Sequence, residues 1–145
     1  MNSQRKHNLL NFMGFQLGWF CCVLGAAKGW PLLGPAVVIL VTGFHLKFAI
    51  NPFSELKLIG FALLLGATFD SMLLATDWLT YFEGIYLHGF APVWILALWV
   101  LFATTLNSSM SWMKNKLILG SVLGVVFGPL SYICLLYTSP SPRDA

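Results

Sequence analysis

The sequence predicts an all-α fold: a polytopic helical membrane protein with five transmembrane helices. Three observations predict it. Hydrophobic residues make up 58% of the 145 residues and charged residues 9%, against about 45–50% and about 25% in a soluble domain. The apolar residues fall into five runs, each near the roughly 20 residues that a spanning helix needs. Lysine and arginine gather on one side of the implied bilayer. So few charges cannot solvate the outside of a 16.1 kDa globule whose mean hydropathy is +0.79. The same figures exclude disorder, a coiled coil, collagen and a disulfide scaffold.

The first run covers residues 9–27. Arg5 and Lys6 before it resemble the basic start of a signal peptide. The run is too long for one, and Ala26-Ala27-Lys28 is a poor cleavage site. The second run covers about 32–50, with Pro35 tolerated in its first turn. The third covers 56–76, the fourth 92–112 and the fifth 117–133. The links are short and carry Gly, Pro, Asn or Lys, as helix–helix turns do. Residues 1–133 therefore read as a single transmembrane domain. The tail, 134–145, resembles the translation of a sequencing-library adapter and is expected to be non-native, which would truncate the natural chain near Ile133.

Charge placement sets the orientation. With the N-terminus in the cytoplasm, Arg5, Lys6, Lys47, Lys57, Lys114 and Lys116 fall inside and Lys28 outside. That is a positive-inside pattern. Trp30, Trp78, Tyr81, Phe82 and Tyr86 then sit at the outer headgroup layer and Trp112 at the inner one. The net charge of +3 reads as membrane orientation. The expected surroundings are the lipid bilayer, a membrane-protein partner or a homo-oligomer, and no nucleic acid.

Helices in lipid approach through small residues. Gly120, Gly124 and Gly128 form a row along the fifth run, and Gly14 and Gly18 a shorter one along the first, extended by Cys22. Both faces are expected to pack against neighbours. Gly128-Pro129 is a candidate kink.

Asp70, in the outer half of the third run, is the most informative polar residue. An acid at a helix centre costs about 2.5–3.5 kcal/mol, which the surrounding Leu, Ile and Phe offset. It should face the bundle or water. It is either a proton- or substrate-handling carboxylate or a structural acid bonded to a neighbouring helix. At about 1.5 Å per residue, its depth matches Ser131 and Tyr132 on the fifth run, and Leu96 and Ala97 on the fourth. Asp70, Gln16, Ser131 and Tyr132 are thus the candidate binding residues, with Gln16 expected to bond across a helix interface. Asp70 and His88 are the catalytic candidates; with Asp77 and Glu83 they could line an outward pocket. Their spacing matches no metal motif, and a solvated loop is the simpler reading.

His45 is expected among the inner headgroups, beside Lys47. Thr104, Thr105, Asn107, Ser108 and Ser109 form a polar patch whose default is structural. Cys21 and Cys22 are adjacent, without the gap of a redox pair. No phosphate loop, dinucleotide fingerprint or nucleophile elbow is present. No cofactor or metal is expected, and a conventional active site is disfavoured, although a membrane-embedded one stays open.

Several runs resemble one family. They are Phe15-Gln16-Leu17-Gly18-Trp19-Phe20, Phe69-Asp70-Ser71-Met72-Leu73-Leu74, Ala91-Pro92-Val93-Trp94-Ile95-Leu96-Ala97-Leu98-Trp99, Phe102-Ala103-Thr104-Thr105-Leu106 and Gly128-Pro129-Leu130-Ser131-Tyr132. In order and spacing the chain resembles the uncharacterised bacterial membrane-protein family catalogued as domain of unknown function 2878, from about residue 9 to 132. The resemblance implies a small multi-span protein of the bacterial inner membrane, continuing into at least one further helix. It implies no reaction. Three roles remain open: a small transporter-like or accessory protein centred on Asp70, a membrane enzyme acting on lipid or envelope substrates, and a structural or regulatory subunit.

Overall fold

A computed structural model describes residues 2–78, 86, 88–108, 110–111 and 115–138, with the side chains at 117, 132, 135, 136 and 138 outside that description. Its helices are α1 (Ser3–Ala27), α2 (Leu33–Phe48), α3 (Pro52–Ala75), α4 (Val93–Leu106) and α5 (Leu117–Thr138). No strand occurs among the described residues.

The helix ends follow local chemistry. α1 starts at Ser3, well before the apolar run, because polar Gln4 to Asn8 continue the helix and Gln4 Nε2 donates to Asn8 Oδ1 at 3.2 Å. It closes through Gly29, whose φ of +77° lets the Trp30 amide reach the Gly25 carbonyl at 2.7 Å. Pro52 opens α3 at the first helical position, and Glu55 in the first turn complements the helix dipole. The same helix ends on Asp77 at φ +57°, with the Trp78 amide on the Leu73 carbonyl at 3.2 Å. α4 stops at Leu106, short of the expected 112, where Thr104 and Thr105 turn their hydroxyls onto the carbonyls of Leu101 and Phe102, each at 2.7 Å. α5 runs beyond Ile133 to Thr138, so the helix continues into the segment expected to be foreign.

α4 is the central helix and packs on α1, α2 and α3. Its Trp94, Ile95, Ala97 and Leu101 are buried with Cys22, Ala26 and Val38 in the main core. A second cluster joins Ala103 to Ile59 and Ala62 of α3. α5 touches α1 only slightly.

The two glycine faces differ. A Cβ at Gly14 would come within 3.2 Å of Val41, and one at Gly18 within 2.9 Å of Leu101, so that face lies against α2 and α4. Gly120, Gly124 and Gly128 meet nothing within 4 Å. The expected packing of that row is therefore not made among the described residues. The tightest approaches lie elsewhere: a Cβ at Gly34 would overlap Cys22, and one at Gly66 would overlap the Trp99 ring.

α1 (25 residues) and α3 (24 residues) are long and apolar enough to cross a membrane. α2, α4 and Ile118–Ser131 of α5 are shorter apolar helices. Two membrane-length helices, rather than five, is thus what helix length establishes.

Candidate functional site

Each of α1, α2 and α3 carries a polar residue at the end of its inward stripe. On α1 the stripe is Asn11, Gly14, Gly18, Cys22 and Gly25; on α2 it is Gly34, Val38, Val41 and His45. On α3 it is Glu55, Ile59, Ala62, Gly66 and Asp70. These spacings of three and four keep side chains on one face of a helix. Asn11, His45 and Glu55 meet at the N-terminal end of the bundle.

There the three side chains and the end of α4 form one network. Asn11 Nδ2 donates to the Thr104 carbonyl at 3.2 Å and lies 3.3 Å from His45 Nδ1. A carbonyl only accepts, so the amide nitrogen is the atom facing it, and its second hydrogen points at Nδ1. His45 Nδ1 is then the acceptor, and the ring proton sits on Nε2. That nitrogen donates to Glu55 Oε2 at 3.2 Å. Asn107 Nδ2 donates to the other carboxylate oxygen, Oε1, at 2.9 Å. The His45 and Glu55 side chains keep only 10% and 13% of their exposure.

The network forms part of the wall of a chamber of about 720 Å³. Its lining also includes polar His7, Asn8 and Asn51 and apolar Leu40, Val41, Phe44 and Phe48. His45, expected to face headgroups, instead points between helices, because Asn11 and Glu55 offer it partners on both ring nitrogens.

Asp70 lies at the other end of α3, separated from Glu55 by roughly 22 Å of helix. It is completely buried. Trp99 Nε1 donates to its Oδ2 at 2.5 Å, over the ring that closes on Gly66. One residue on, Ser71 Oγ accepts the Ala91 amide at 3.1 Å, tying the start of α4 to α3. The depth argument placed the correct helix, α4, beside Asp70 but missed the residue, since an indole reaches along the helix from its own position.

The other expected site residues are dispersed. Ser131 is exposed, and its hydroxyl donates to the Phe127 carbonyl of its own helix at 2.6 Å, so it does not serve Asp70. The Tyr132 side chain and Glu83 lie outside the described residues. Gln16 is half-buried, and the α1 amide that bonds across helices is that of Asn11. His88 is exposed in the turn before α4, and Asp77 closes α3 through its backbone, so neither joins buried Asp70 in a pocket. Among the described residues no group of three or more His, Cys, Asp or Glu side chains is disposed to hold a metal ion. Sequence reasoning missed Asn11 and Glu55 altogether. Their signal was the register that each shares with the small-residue stripe of its helix.

No curated protein and no solved structure matches the chain. One family does match, over residues 8–135, which takes in α1 from Asn8 onward, all of α2, α3 and α4, and most of α5. The chain belongs to that family, described as "Protein of unknown function (DUF2878)".

Proposed function

We propose that the chain is a multi-pass protein of the bacterial inner membrane, with all five helices crossing and the N-terminus cytoplasmic. Its working site is the chamber at the cytoplasmic ends of α1–α4, where it binds a small solute or a headgroup in a transporter-like or accessory role. The membrane reading is supported by an inverted surface. Ile39, Phe61, Leu64 and Val125 are each more than 60% exposed, while Asp70 and Thr104 are fully buried. Monomeric soluble proteins rarely expose contiguous apolar surface on this scale. α4 spans only about 21 Å, short of the roughly 30 Å hydrocarbon core. Buried Ala91 and Pro92 extend it at one end and Asn107, bonded to Glu55, at the other, and local thinning of the bilayer accommodates the remainder.

The observation that carries the functional reading is the carboxylate–imidazole pair, built from two helices, on the wall of a half-polar chamber. Isolated packing contacts need no such chamber. An enzyme acting at an outward pocket draws less support, since Asp70 is sealed against Trp99 and His88 stands apart in solvent.

The test is complementation of a deletion strain, read by lipid and metabolite profiles, at matched protein abundance. Glu55→Gln is expected to fail to restore the wild-type profile, and Asp70→Asn to restore it. Full restoration by Glu55→Gln would remove the chamber as the working site. Maleimide labelling of Lys28→Cys from the periplasmic side alone is the expected topology result.

A further inference from the structure

From charge and shape, we infer that the chamber takes a primary ammonium group carried on an apolar tail. The inference rests on the chamber being the working site and adds the chemistry of its ligand. Among the described residues that line the chamber, Glu55 is the one with a formal charge, and no lysine or arginine lines it. Two nearby cations lie against aromatic rings: Lys47 Nζ is 5.9 Å from the centroid of Phe48, at the border of the chamber, and Lys57 Nζ 4.7 Å from that of Phe53, which does not line it. Glu55 accepts one hydrogen bond on each oxygen, from His45 Nε2 and Asn107 Nδ2. A carboxylate offers about four lone-pair sites, so further donors can be accommodated. Each present donor takes one position on one oxygen and leaves the other lone pairs of the carboxylate open.

A cation with N–H donors fits such a site, because charge-assisted hydrogen bonds to a carboxylate are about twice as strong as neutral ones. An anion meets Glu55 with no lysine or arginine among the described lining residues to compensate it. The apolar part of the lining suits a hydrocarbon chain. Leu40 and Val41 line it beside Phe44 and Phe48, whose ring centroids are 4.7 Å apart. Aromatic faces also attract ammonium groups. The chamber follows α1 from Ser3 to Gly14, about 16 Å of helix rise, which gives room for head and tail together.

The ammonium could come from an ethanolamine lipid headgroup or from a free alkylamine, and two measurements on the full purified chain separate them. The first is thermal stability against hexylammonium, hexanol and hexanoate. The second is native mass spectrometry from detergent supplied with equimolar phosphatidylethanolamine and phosphatidylglycerol. Hexylammonium is expected to bind about tenfold more tightly than hexanol, with hexanoate weakest. Glu55→Gln should abolish that order. Preferential retention of phosphatidylethanolamine alongside it identifies the lipid as the source; its absence identifies a free amine. Equal response to hexanol or hexanoate, or preference for phosphatidylglycerol, overturns the inference. The wild-type series decides this even where Glu55→Gln does not accumulate. Failure here, with Glu55→Gln still unable to complement, removes the ligand class and leaves the chamber; complementation by Glu55→Gln removes the chamber itself.

Discussion

His45 on α2 closes on Glu55 in the first turn of α3, with 3.2 Å between Nε2 and Oε2. The α2–α3 turn brings the two residues close, but the ring is held from its other side by Asn11 of α1. The pair is therefore a junction of three helices, with Asn107 after α4 completing it. Because every member is bonded, losing one leaves the others without a partner in a site of low exposure.

Glu55→Ala leaves the His45 and Asn107 donors without their acceptor. Stability is expected to fall by about 2–3 kcal/mol. A double-mutant cycle of Glu55→Ala with His45→Ala in mild detergent should give a coupling of about 1 kcal/mol or more. Strict additivity would show that the pair contributes nothing beyond its separate parts.

Trp99→Phe keeps the ring that packs on Gly66 but removes the donor to Asp70. A loss of about 2 kcal/mol is expected from that buried carboxylate. Asp70→Asn retains an oxygen acceptor for the indole and should cost less. Thermal unfolding of both variants, compared at one detergent concentration, checks the order.

Glycine substitutions separate used faces from open ones. Gly34→Ala and Gly66→Ala place a methyl against the Cys22 backbone and the Trp99 ring, and each should destabilise by about 1–3 kcal/mol. A Cβ at Gly124 meets nothing within 4 Å among the described residues, and Gly124→Leu should stay within about 0.5 kcal/mol. A large drop for Gly124→Leu, dependent on protein concentration, would reveal an intermolecular contact on that face.

Asp77 holds a left-handed backbone at the end of α3. That region costs an L-residue about 1–2 kcal/mol, and glycine nothing comparable. Asp77→Gly should therefore stabilise the chain by about 0.5–1 kcal/mol, less the greater freedom of glycine when unfolded. A melting temperature that falls would assign Asp77 a side-chain role.

Thr42 Oγ1 on α2 is buried without a hydrogen-bond partner among the described residues. Replacing the hydroxyl by a methyl of similar shape removes an unsatisfied group. Thr42→Val should raise stability by roughly 1 kcal/mol, measured by denaturant titration. An unchanged or lowered value would mean that the hydroxyl is satisfied in the membrane-bound protein.

By itself the sequence determined where the helices lie, because apolar runs broken by Gly, Pro and Asn leave the backbone few other ways to satisfy its polar groups. The cores of all five helices match these runs, with ends displaced wherever polar segments such as Gln4 to Asn8 continue the spiral. Glu55 and Asn11 escaped notice because each looked like an ordinary polar residue near a helix end, and Asn107 was read only as part of a structural polar patch. Their role comes from convergence of residues as far apart as Asn11 and Asn107. Only tertiary structure decided that convergence, and only it distinguished the occupied glycine face of α1 from the open face of α5. The physical reason is common to both: a small or polar side chain permits or rewards a contact, but the packing of α4 among three helices settles which neighbour arrives to make it.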